Sequence, residues 1–204
     1  MDLLAHAMYG ATLCSRTGLG GGVKLKSPAG NRPQSWAGDW TVWAAVFFSL
    51  LPDVVSLWPP FIFFWLQGSP GNFFREISGH HLVCYRYMHS LLVALAVAGI
   101  CWLIWQPLFV PALAWPVHVC MDAITHGLGK FQTTLFYPLS SWAVDGIRWW
   151  EHPEAVLSYW LLLPGFWLGL RVLRQHGLFK AAEAGSHRSS PGANLTDHGA
   201  RLDF

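Results

Sequence analysis

Apolar residues in this chain gather into long blocks divided by short polar segments. Trp40 to Trp58 carries a single charge, Asp53, and predicts one helix. Ser90 to Met121 runs 32 residues without Asp, Glu, Lys or Arg. As one helix it would be about 48 Å long, against a hydrocarbon core of roughly 30 Å. Pro107, Pro111 and Pro116 therefore predict two helices, over 90–106 and 112–127. Ala155 to Leu173 is the last block, with Arg171 close enough to its end to reach water along its aliphatic stem. Leu3 to Ser15 rises only about 20 Å, which fits a tilted or partial insertion, or a helix buried against the others.

Composition points to the same solvent. Charged residues make up 12% of the 204, about half the share of a soluble domain, roughly 25%. Hydrophobic residues reach 53%, with 13 tryptophans and 13 phenylalanines, more apolar area than a soluble globule of this size can hide. Disorder, a collagen-like chain and a disulfide scaffold are excluded on the same grounds. The fold class expected is all-α, a multi-pass membrane helix bundle of four to five helices with a metal site at one end. Residues 1–180 form the membrane-embedded domain, and the small, polar stretch 181–204 is expected to be a disordered cytoplasmic tail.

Charge adds orientation and removes one class of partner. The net charge is +2, with no dense basic face, so the bilayer rather than nucleic acid is the expected partner. Segments 16–38 and 171–204 hold nine basic residues, among them Arg16, Lys24, Lys26, Arg32, Arg171 and Lys180; segments 59–89 and 128–154 hold four. The positive-inside rule then puts the C-terminus in the cytoplasm and the two longer loops outside. Met1 to His6 lacks the positively charged start of a secretory signal. Cys14, Cys84, Cys101 and Cys120 are scattered and read as packing residues. The run Gly18 to Gly22 lacks the Gly-Lys-Ser/Thr ending of a phosphate loop and reads as a flexible loop.

Ionisable residues at the ends of apolar blocks are costly, about 2.5–3.5 kcal/mol each at a membrane-helix centre, and need a reason. His6, Asp53, His89, His118, Asp122 and His126 are such residues, and the predicted topology puts His6, Asp53, His89, Asp122 and His126 at one outer end of the bundle. His118, Asp122 and His126 recur every four residues, on one stripe of a helix, a set suited to a first-row divalent metal such as zinc. Asp122 near a helix C-terminus also faces the negative end of the helix dipole, which a bound cation would relieve.

On these residues the chain resembles the YdjM-like family of inner-membrane proteins, described as membrane-bound metal-dependent hydrolases. The matching pieces are His6-Ala7-Met8-Tyr9-Gly10, Leu51-Pro52-Asp53, Arg86-Tyr87-Met88-His89-Ser90-Leu91, His118 to Gly127 and Leu135-Phe136-Tyr137-Pro138-Leu139-Ser140, in the family's order over residues 1 to 172. The resemblance implies a metal site made from His6, Asp53, His89, His118 and Asp122, with His126 as a further candidate. Two positions depart from the family: Tyr85 stands where it usually has His, and Val55 where it often has a second acid.

The chemistry expected is hydrolysis. An ion with an open position acidifies a bound water that attacks a phosphoryl or acyl centre of a small or lipid-like substrate. His126 is a candidate general acid–base, and Arg86 a candidate anchor for an anionic group or a rim charge paired with Glu76. The aromatic run Trp58 to Leu66 is expected at the outer interface. Rival readings are a metal or proton carrier using the same residues, a haem-binding bundle, and a scaffold.

Overall fold

The computed structural model describes residues 1–22, 36–68 and 71–175. Its helices are α1 (Leu3–Cys14), α2 (Trp40–Leu66), α3 (Phe73–Glu76), α4 (His80–Met88), α5 (Leu91–Ile104), α6 (Phe109–Ala112), α7 (Ala114–Thr125) and α8 (Pro153–Gln175). Three stretches are long and apolar enough to cross a membrane: Trp40–Leu66, Gln106–Thr125 and Pro153–Leu173. α4 and α5 together make a fourth, bent by 57°. Among the described residues there is no strand, only an isolated bridge between Thr134 and Ala143.

The helices run back and forth between two levels. α1 is capped by Asp2, whose carboxylate accepts from the Ala5 amide at 2.8 Å. The chain turns through Ser15–Gly18 and a 3₁₀ turn over Leu19–Gly22, so the glycine run is an ordered turn rather than a flexible loop. α2 starts on a second cap, Asp39, which also accepts from the Thr17 amide and ties the two helices together. α5 descends to the level where α2 begins, and there Trp105 stacks on Trp40, with centroids 5.0 Å apart and planes at 14°. The chain then climbs back through α6 and α7, with Pro116 in the first turn of α7, where a missing N–H costs nothing.

Small residues bring these helices close. Ala45, Ala94, Ala98, Ala112 and Ala114 are buried around Phe48, Trp115 and Val119. α1 packs against α2, α7 and α8, with Ala5, His6, Tyr9 and Thr12 buried in those contacts. Gly10 sets the α1–α2 contact, since a Cβ there would fall 2.6 Å from Ser49 Cβ. The Ser49 hydroxyl donates to the His6 carbonyl at 2.6 Å across that contact.

The structure corrects two boundaries. α2 does not end near Trp58 but continues to Leu66, through Pro59 and Pro60. In an apolar solvent, unwinding would leave backbone groups without partners, so proline is tolerated within a spanning helix. Asp53 accordingly stands at the middle of α2, 13 residues from either end, and not near its end. The run Trp58 to Leu66 is the second half of that helix, with Trp58, Phe61, Ile62, Phe63, Trp65 and Leu66 exposed. Finally, α7 stops at Thr125 and His126 is its extended C-cap, with its ring still 3.3 Å from Asp122 Oδ1. The cause is the returning segment 146–149, whose amides take the last carbonyls: Gly146 to His126, Ile147 to Ile124 and Trp149 to Thr125. Gly146 is required there, because a Cβ would lie 2.4 Å from the Ile124 carbonyl oxygen. Lys24, Lys26, Arg32, Lys180, Arg188 and Arg201, which weigh most in the orientation, and the tail 181–204 lie outside the described residues.

Replacing Gly10 by Val should force α1 from α2 and destabilise the bundle by about 1–3 kcal/mol, the usual cost of overpacking. Thermal unfolding in detergent, followed by circular dichroism, reads this directly; an unchanged midpoint would show that the contact does not hold the bundle.

Candidate metal centre

Four side chains from three parts of the fold converge. Asp53 comes from the middle of α2, His89 from the turn between α4 and α5, and His118 and Asp122 from successive turns of α7. One ligand atom from each lies within 4.8 Å of every other. The imidazoles of His89 and His118 are fully buried, the Asp122 side chain is 3% exposed and the Asp53 side chain 16%.

Four of the six separations are alike, while His118 Nε2 stands 4.0 Å from Asp53 Oδ2. His89 Nε2 lies 3.3 Å from Asp53 Oδ1, 3.4 Å from Asp122 Oδ2 and 3.3 Å from His118 Nε2. His118 Nε2 lies 3.2 Å from Asp122 Oδ2. Charge-assisted N–H···O bonds are shorter, about 2.7–2.9 Å. Four donors placed about 2.0–2.1 Å from a tetrahedral zinc stand roughly 3.3–3.4 Å apart. Four of the six separations match that spacing, and the group could hold a metal ion.

Proton positions support this. His89 Nδ1 lies 3.0 Å from the Tyr85 carbonyl, which can only accept, so that nitrogen carries the hydrogen. In the neutral ring Nε2 then presents a lone pair to two carboxylate oxygens and to a second imidazole nitrogen. Such a focus of lone pairs requires a cation, or a proton added to the ring. An Nδ1–H held by a backbone carbonyl is also how metal-binding histidines are oriented.

The remaining candidates take other places. His6 Nε2 lies 2.9 Å from Asp122 Oδ1, on the far side of that carboxylate from the quartet, and the ring stacks on His118 at 3.8 Å. The Met1 amino nitrogen lies 2.9 Å from the same oxygen. His6 thus holds Asp122 in place, with Oδ2 left facing His89 and His118. His126 Nδ1 donates to the Asp122 carbonyl at 3.1 Å and lies 3.3 Å from Oδ1, at the edge of the site. Arg86 is half-buried on α4, one turn before His89, and its Nε is buried without an acceptor. It forms no ion pair with Glu76, which is exposed. Ser90 caps α5 and donates to the Tyr137 carbonyl at 2.7 Å, and Thr125 donates to the Met121 carbonyl, so neither hydroxyl reaches the ligands. Cys120 is exposed, away from the site.

Two supports went unread in the sequence. Tyr85 stacks on His89, with centroids 3.9 Å apart, and its hydroxyl donates to the Phe131 carbonyl. Its place four residues before His89 is the one local signal. Asp2 accepts from Tyr159 at 2.6 Å and from Trp160 at 3.2 Å, tying the start of α1 to α8 across more than 150 residues; nothing in the sequence announces that pairing. Burial works to raise the Asp2 carboxyl, but the bonds from Tyr159, the Ala5 amide and Trp160 outweigh it and hold its pKa below the ordinary value. No family model, curated protein or solved structure matches the chain, so the family resemblance rests on its five motifs alone.

His6→Ala should weaken binding of a divalent metal by about 10–100-fold, the usual cost of removing a group that orients a ligand, while His89→Ala should abolish it. Competition titration against a chromophoric chelator distinguishes the two; equal losses would place His6 among the ligands.

Proposed function

We propose that the protein is a membrane-bound metal-dependent hydrolase of the kind its motifs resemble, acting on a phosphoester or acyl bond. The observation that carries this reading is the quartet Asp53, His89, His118 and Asp122 at the spacing of a metal's ligands, with His126 beside it. When bound, a divalent ion, zinc by the chemistry of two imidazoles and two carboxylates, supplies Lewis acidity and a water acidified to near neutrality.

The chain's own groups divide the remaining tasks. His89 and His118 present neutral nitrogens, and Asp53 and Asp122 supply the balancing charge. His6 fixes which Asp122 oxygen turns inward. His126 keeps Nε2 free at the rim, since Nδ1 is committed to the Asp122 carbonyl, so it can accept a proton from the attacking water and return it to the leaving group. Asp53 is the most exposed of the four and the side on which a substrate can approach. The proposed setting is an inner membrane, with the C-terminus cytoplasmic and the site toward the outer face.

A second reading has its own support. Four protein groups fill a tetrahedron, as in sites without catalysis, which favours a membrane protein that binds or passes a metal. Turnover separates the two.

Purified protein should hold about one zinc-like ion per chain, as one ligand set implies, and His118→Ala and Asp122→Ala should both lose it. The native protein should cleave phosphate or acyl esters, and His126→Ala should keep its metal while losing about 10²–10⁴-fold in rate. Elemental analysis with a colorimetric ester assay gives both readouts. A metal-loaded protein inert toward every ester would leave the metal-handling reading in its place.

A further inference from the structure

The quartet has one open edge, and it faces an apolar surface. Of the four ligands only Asp53 is appreciably exposed. Around α2, with about 100° per residue, Ser49, Ser56 and Pro60 lie to one side of Asp53, and all three are buried. Leu50 and Leu57 lie about 40–60° to the other side and are half-buried; Val54 and Phe61, about 80–100° round, are exposed. The less buried side chains flanking Asp53 on α2 are thus leucine, valine and phenylalanine, with no polar one among them.

Depth sharpens this. The Trp40–Trp105 stack marks one level of the bundle, where tryptophan belts mark a membrane boundary. From there the 13 residues of α2 up to Asp53 rise about 20 Å, and the 14 residues of α5 below His89 rise about 21 Å. Against a hydrocarbon core of roughly 30 Å, the quartet lies about 10 Å short of the opposite boundary. A small hydrated anion reaching that edge would have to shed its water along an apolar path. Arg86, one turn before His89 on α4, has a buried Nε without an acceptor and no carboxylate partner among the described residues, which suits an anionic group.

We infer that the substrate is a membrane amphiphile with a phosphate-monoester head, which enters from the bilayer over Leu50 and Leu57 and pairs with Arg86 while its chain stays in lipid. This rests on the hydrolase reading for the fate of the head group, but binding can be measured apart from turnover.

The test is calorimetric titration of zinc-loaded protein in maltoside micelles with dodecyl phosphate and with methyl phosphate, which share one head group. After correction for partition into protein-free micelles, dodecyl phosphate should bind at least tenfold more tightly. Arg86→Gln should weaken it at least tenfold and Arg86→Lys less. Leu57→Trp, which narrows the apolar path, should weaken dodecyl phosphate alone and leave zinc content unchanged. Equal binding of the two phosphates, or dodecyl phosphate binding indifferent to both Arg86→Gln and Leu57→Trp, would overturn the inference. Dodecyl phosphate bound with this pattern but never cleaved would support the inference and remove the hydrolase reading. Cleavage of methyl phosphate without preference for a chain would do the reverse.

Discussion

Two carboxylates share one buried space, and the rest of the bundle is arranged around that fact. Oxygens of Asp53 and Asp122 approach within 4.8 Å. At an effective dielectric near 20 that repulsion is about 3 kcal/mol or more, a large fraction of a domain's net stability of 5–15 kcal/mol. The Met1 ammonium offsets part of it at Asp122 Oδ1, but neutral imidazoles do not, since His89 turns a lone pair toward the same point. A positive charge among the four groups turns every one of these contacts from unfavourable to favourable. The fold brings three helix ends and one helix middle to that point.

Holding the carboxylates there takes a second set of contacts, each made by a neighbouring element. α1 presents His6 to Asp122 because Gly10 lets it lie against α2 and because Asp2 is clamped by Tyr159 and Trp160 of α8. Tyr85 fixes the proton of His89 and stacks on its ring. Segment 146–149 takes up the carbonyls that end α7, which turns His126 out of the helix toward the rim. Removing α1 or α8 would therefore loosen the site although neither supplies one of the four ligands.

Much of this was legible in the sequence because membrane chemistry leaves strong marks. Apolar blocks pointed to the helices, and the rare ionisable residues in or beside them pointed to Asp53, His89, His118 and Asp122. The boundaries were harder. The block read as Trp40 to Trp58 runs on through Pro59 and Pro60 to Leu66, because a spanning helix has no better state to adopt. His126 kept the four-residue spacing but lost the helix, because the carbonyls of its turn are claimed by residues twenty positions on. His6 was rightly placed at the site, yet spacing alone does not tell a ligand from a group that holds one. The Asp2–Tyr159 clamp was invisible, as pairings across a whole chain leave no local pattern.

X-ray absorption at the metal edge of the purified, metal-loaded protein tests the central claim most directly, because it reads the ligand atoms themselves. The account predicts a first sphere of nitrogen and oxygen only, at about 2.0–2.2 Å, with the outer-ring scattering of two imidazoles. A sphere containing sulfur, or one without imidazole scattering, would contradict it.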